Sequence, residues 1–148
     1  MTSKRVLVVD DDETIRTLLT SVLRHRDLVV DEAADGRDAL DLLRQHSYAV
    51  VLLDLLMPNV DGFGVIDGLG TALSTPVVLV ITGADRSLLR ELDPQKIHGV
   101  VTKPFDAEDL ATLVVACAEI KSRSAFETMA ISAMIAGGPF LAWLNRLG

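Results

Sequence analysis

The chain has a single cysteine, no run of basic residues, and no unbroken apolar stretch of membrane-spanning length. One cysteine, Cys117, excludes an internal disulfide. Its place among Leu110, Leu113 and Val114 at helical spacing marks a packed thiol in a chain suited to a reducing compartment. The missing basic run, with a formal net charge of −7, argues against nucleic acid as a partner, because backbone phosphates need clustered Lys and Arg. The apolar stretch behind Lys4 and Arg5 stops at Asp10, far too short for a signal peptide, so the expected location is cytoplasmic. No P-loop, internal repeat or low-complexity segment is present.

What the chain does have is apolar runs that end in polar residues. VLVVDDD spans Val6 to Asp12, VVLLDLLMP spans Val50 to Pro58, and VVLVIT ends at Thr82. Each reads as a buried strand that delivers its polar residue at the carboxyl end. In an open α/β sheet those ends line the ligand crevice, so Asp10, Asp11, Asp54 and Thr82 are expected to converge. A carboxylate cluster of this kind calls for a metal ion or phosphate chemistry.

Strand and helix patterns alternate from Lys4 to about Lys121. Ile15, Leu18, Leu19, Val22 and Leu23 recur at helical spacing behind Asp12, a ready N-cap. A second strand is expected over Leu28 to Ala33, followed by a helix opened by Asp35 and Gly36. The third strand is Ala49 to Leu53. The Pro58, Asn59, Asp61 and Gly62 loop leads into a helix from about Phe63 to Ala72, and Pro76 introduces the fourth strand. A short helix over Ser87 to Leu92 is cut off by Pro94. The fifth strand is Gly99 to Thr102, and Asp106 caps a last helix through Leu110, Val114 and Cys117. Five strands alternating with five helices give an α/β fold, a parallel sheet covered on both faces, and the 49% hydrophobic content is enough to supply that cover.

Residues 122–148 form a separate C-terminal extension with no strand pattern. Thr128 to Leu144 carries no charge, and Gly137, Gly138 and Pro139 interrupt it. A membrane span needs about 20 apolar residues, and this break leaves two short helices instead. The expected tail is helical and buried against protein: its own domain, a second copy in a homodimer, or further chain. Trp143 and the methionines read as core or interface.

Taken together, VLVVDDDETIR, VVLLDLLMPNVDG, Thr82-Gly83-Ala84 and Thr102-Lys103-Pro104-Phe105 resemble the receiver domain of two-component response regulators, over about Lys4 to Lys121. The resemblance implies a flavodoxin-like, doubly wound five-stranded sheet of order 2-1-3-4-5. It implies that Asp54 is the phosphoacceptor, taking a phosphoryl group from a sensor histidine kinase or phosphotransfer protein. Mg²⁺ would be held by Asp11, Asp54 and the Leu56 backbone carbonyl, with Asp10 acting mainly through water. Lys103 would supply positive charge to the acyl phosphate and Thr82 a hydroxyl, with a cis peptide at Lys103-Pro104 turning the amine inward. Asp54 would be its kinase's substrate, not a turnover catalyst, and output would pass by contact to an unknown downstream protein from a stand-alone regulator. Asp12, Asp35 and Asp106 read as helix caps, and His25 and His46, near helix carboxyl ends, carry no chemistry.

Two departures accompany the resemblance. An aromatic residue three positions before the lysine is usual, and this chain has Val100. The apolar tail stands where an output domain often follows. Two rival readings remain: Asp10, Asp12 and Thr14 satisfy the DxDxT pattern of haloacid dehalogenase-type phosphatases, with Asp10 as nucleophile, and a module that dimerises without phosphorylation would share the fold.

Overall fold

The computed structural model describes residues 4–83 and 86–121. The tail expectation, Trp143 and Ala84 lie outside the described residues. Five strands, β1 (Arg5–Val9), β2 (Val29–Ala33), β3 (Val50–Leu53), β4 (Val77–Thr82) and β5 (Gly99–Thr102), form one parallel sheet of order β2-β1-β3-β4-β5. The helices are α1 (Glu13–Arg24), α2 (Gly36–Gln45), α3 (Gly62–Gly68), α4 (Arg86–Leu89) and α5 (Ala107–Lys121). The expected order and the strict strand–helix alternation are both present.

The apolar runs occupy the places their composition requires. Every residue of β3 and β4, and Val6 to Val9 of β1, is buried. A central parallel strand is covered on both faces, so it reads as a continuous Val/Leu/Ile run instead of an alternation. The edge strands differ: β2 carries a half-buried Asp31 and an exposed Glu32, and β5 is only half-buried after Gly99. Each buried Leu or Val removed from water contributes roughly 1.5–3 kcal/mol, and such residues run unbroken through the middle of the sheet. α1 packs on α5 and β2, and α2 packs on α3.

The anticipated caps are in place. Asp12 accepts from the Thr14 and Ile15 N–H groups, Asp35 from Asp38 N–H, and Asp106 from Asp109 N–H. His25 and His46 stand at the C-caps of α1 and α2. Cys117 is fully buried, and burial pushes its thiol up to about 11, the behaviour of a packed residue.

Some boundaries move for local reasons. α3 starts at Gly62, because Asp61 accepts from Gly64 N–H and so caps one residue earlier than expected, and it tightens into a 3₁₀ turn at Leu69–Thr71. α4 ends at Leu89 instead of Leu92; the following amides of Glu91 and Leu92 bond three residues back, to Leu88 and Leu89, as the chain unwinds toward Asp93-Pro94. β2 begins at Val29 because Leu28 N–H still closes α1 on Leu23. No helix among the described residues is long and apolar enough to cross a membrane.

Candidate functional site

Sheet register builds the site. Val9 pairs with Ala33 on one side and Leu53 on the other, so the next residues, Asp10 and Asp54, emerge side by side from adjacent strands. Their amides continue the ladder: Asp10 N–H donates to Ala33 O at 3.1 Å and Asp54 N–H to Val9 O at 2.9 Å. Thr82 pairs with Thr102 across β4 and β5, and Lys103 N–H donates to Thr82 O at 2.9 Å, which places the lysine at the mouth of the same crevice.

The side chains converge there. Carboxylate oxygens of Asp10, Asp11 and Asp54 all lie within 4.8 Å of one another, with Asp10 and Asp54 buried and Asp11 exposed. Lys103 Nζ stands 3.1 Å from Asp10 Oδ2 and 3.5 Å from Asp54 Oδ2. Asp10 Oδ1 accepts from Asp12 N–H at 2.8 Å, so both of its oxygens are engaged. Among the described residues, Asp54 Oδ1 has one long contact, 3.4 Å, from Leu56 N–H. Thr82 is fully buried at the end of β4, and the Lys103-Pro104 peptide is cis.

The electrostatics follow from this crowding. Burial, then the neighbouring Asp10 charge, raises the Asp54 carboxyl above the usual carboxylate range against the opposing pull of Lys103 and Leu56 N–H. Burial would lower the Lys103 ammonium, but its hydrogen bond to Asp10 and the charges of Asp54 and Asp10 outweigh it, so the amine is held more firmly protonated. One lysine thus faces three carboxylates. The donor set is all oxygen and carries excess negative charge, which fits a hard divalent cation such as Mg²⁺.

Several supporting residues carried no local signal. Arg16 lies inside the first motif, yet its role is visible only in three dimensions: its guanidinium donates to the Asp10 carbonyl at 2.8 Å and pairs with Glu32 at 3.2 Å, fixing the acidic turn against β2. Asn59 donates to Asp35 Oδ2 at 3.0 Å and Val60 O accepts from Gly36 N–H at 2.9 Å, tying the loop after β3 to the start of α2. Gly62 sits where a Cβ would strike the backbone of Asp54 and Leu55. Asp12, the second aspartate of the DxDxT reading, is spent on its cap, and Glu108 pairs with Arg26 at 3.0 Å on α5. Among the described residues, the acidic pair that the phosphatase reading needs at a strand end is not there: Glu108 and Asp109 lie on α5.

Comparison with known proteins gives a consistent result. The family model described as the response regulator receiver domain matches residues 6–115. Transcriptional regulatory protein SrrA of Staphylococcus aureus is 30% identical over 114 residues, covering 77% of this chain and 47% of SrrA. The chain thus spans about half the length of the curated relatives it matches. Response regulator protein TrrA of Thermotoga maritima, solved in complex with Mg²⁺-BeF, is similar with a TM-score of 0.67 and 28% identity over 77% of this chain and 98% of that one. A CheY-like receiver domain protein of Methanospirillum hungatei gives a TM-score of 0.72 at 19% identity, over 82% of this chain and 98% of that one, a likeness of fold.

Proposed function

Since the chain belongs to the response regulator receiver domain family, we propose that it accepts a phosphoryl group on Asp54 from a sensor histidine kinase or phosphotransfer protein, with Mg²⁺ bound. The observation that carries this reading is the placement of Lys103 Nζ, 3.1 Å from Asp10 and 3.5 Å from Asp54, beside three clustered carboxylates. Of the two buried aspartates, Asp54 is the one with the longer contacts, 3.4 Å from Leu56 N–H and 3.5 Å from Lys103 Nζ.

In the proposed transfer, an Asp54 carboxylate oxygen attacks the phosphorus of a phosphohistidine. The new P–O bond forms as the P–N bond breaks, and the imidazole leaves with its electron pair. Asp54 must be ionised to attack, and Lys103 opposes the burial and the Asp10 charge that favour its proton. Lys103 then stabilises the acyl phosphate as a charge-assisted donor, and Thr82 offers its hydroxyl to a phosphoryl oxygen. Asp11, Asp54 and the Leu56 carbonyl would hold the ion, while Asp10, with both oxygens engaged by Lys103 and Asp12 N–H, contributes through water. When bound, Mg²⁺ offsets carboxylate charge and polarises phosphoryl oxygens. Output passes to a downstream protein by contact.

The test is incubation with Mg²⁺ and a small phosphodonor, followed by intact mass and mapping of the labelled residue. The expected label is on Asp54 and disappears in Asp54→Asn. A label on Asp10 that survives Asp54→Asn overturns the proposal in favour of phosphatase-like chemistry.

A further inference from the structure

α5 is apolar over more of its circumference than its packing uses. Leu110, Ala111, Val114, Cys117 and Ala118 are buried against the body of the domain. Leu113, Ala116 and Ile120 remain half-exposed, and they fall at i, i+3 and i+7, one continuous row on the same helix. A helix at a domain surface normally keeps one apolar stripe and fills the rest with polar residues; a helix apolar nearly all round is a buried one.

The row leads into a groove. Val101 on edge strand β5 and Phe105 just after it meet Leu110 and Leu113 around a space of about 190 Å³, open to the surface and edged by Asp106 and Asp109. That is room for an aromatic side chain or a pair of aliphatic ones. At its other end the row reaches Lys121, from which residues 122–148 continue.

We propose that the apolar segment Thr128 to Leu144 of this same chain docks on the α5 row and fills the β5–α5 groove. Its composition suits the surface: it carries no charge and includes Met129, Ile131, Ile135, Phe140 and Trp143. Arg146, just beyond its end, complements the acidic edge made by Asp106 and Asp109. Left in water, a stretch of this length would be an aggregation site. Tethering favours its own domain over a second copy, because a short linker gives an effective concentration on the order of millimolar. A partner that uses the β5–α5 surface must then displace the segment.

Trp143 is the chain's single tryptophan and lies in the segment, so the full-length protein carries its own probe. The expected result is a blue-shifted Trp143 emission, weakly quenched by iodide and unchanged on dilution, with light scattering giving the mass of one chain. Leu113→Asp should shift the emission to the red and raise iodide quenching several-fold with the far-UV circular dichroism intact. Leu73→Asp, at an exposed position remote in sequence, should do neither. Should Leu113→Asp lose its far-UV signal, Phe105→Ser, placed in a loop, takes its place as the deciding variant. Red emission in the unmodified protein, or blue emission indifferent to these groove variants, overturns the proposal. Protection that fades on dilution together with a two-chain mass overturns it in favour of a second copy.

Discussion

Asp10 and Lys103, 93 residues apart in the chain, meet through a 3.1 Å contact between Oδ2 and Nζ. This pair fixes where the lysine stands among the carboxylates. Asp10 holds the lysine with one oxygen and the Asp12 amide with the other, so its charge serves to position Lys103 between the two buried aspartates. Asp11 and Asp54 are left with oxygens to offer outward. The division of labour rests on register: β1 and β3 end level with each other, and β5 returns the lysine to the same edge.

Crowding three carboxylates against one ammonium costs stability, and Asp54→Asn should recover some of it. The folded Asp54 has a raised pKa, so the native state holds its proton to higher pH than the unfolded chain, whose value is near 3.8. Stability from this group is therefore lost as pH rises from the unfolded value through the folded one. With metal chelated, Asp54→Asn should melt higher by about 1 kcal/mol, roughly 4 °C. Added Mg²⁺ should narrow the gap by stabilising the unsubstituted protein. A variant that melts lower under chelation would show that the Lys103–Asp54 pair is net favourable.

Gly62→Ala should damage the site from behind. The added Cβ would come within 2.6 Å of Leu55 Cα and would also strike the Asp54 carbonyl oxygen, both rigid backbone. The close approach is enforced by Gly62 N–H donating to Leu55 O at 2.8 Å. Urea unfolding should show a loss of about 2–3 kcal/mol. Phosphorylation of the fraction that remains folded should also slow, because the strand end that carries Asp54 must shift. Unchanged stability and unchanged labelling would mean that the loop relaxes freely.

The sequence exposes some of this architecture directly and hides the rest. Val6–Val9, Val50–Leu53 and Val77–Thr82 are legible because double-sided burial demands unbroken apolar runs, and Asp12, Asp35 and Asp106 because capping is local chemistry. Periodicity does not reveal the strand order; the motif resemblance implies it, and the pairing bears it out. The sequence pattern runs past the end of α4 because unwinding sets in before Pro94, and it starts α3 a residue late because Asp61 caps the first amides. Arg16 and His98 were missed for another reason. Arg16 serves the Asp10 carbonyl, and His98 accepts from the Val78 amide twenty residues away, contacts that no local pattern announces.

His98 gives the domain a measurable pH dependence. Its Nδ1 accepts from Val78 N–H at 3.0 Å while its own amide donates to Val78 O at 2.8 Å, so the imidazole extends the β4–β5 ladder just ahead of β5. Burial, then the Lys121 charge, lowers its pKa below 6.5. The unfolded chain then binds the proton first on acidification, so His98's contribution is whole above about pH 6.5 and is lost as pH falls toward the folded value. Between about pH 7.5 and 5.5 the melting temperature should fall more steeply for the unsubstituted chain than for His98→Gln, which keeps an acceptor and does not titrate. Parallel profiles would remove His98 from the account.

The last prediction concerns how far a signal travels from Asp54. The receiver resemblance leads one to expect an aromatic side chain three positions before Lys103, able to change environment when the threonine moves. This chain has Val100, half-buried on β5 and paired with Val80, and its β-branched side chain has no ring to swing. α4, beside the same edge in sequence, is only four residues long. A ligand shifts a conformational equilibrium only by its differential affinity for the two states, and a small side chain provides little difference to exploit. On adding Mg²⁺ and beryllofluoride as a phosphoryl mimic, amide chemical-shift changes should concentrate in the loops after Asp54, Thr82 and Lys103. Along Gly99–Thr102 and Ser87–Leu92 they should be small. Changes there as large as at Thr82 would show that β5 and α4 respond without the aromatic residue, and Val100→Tyr would then add nothing to them.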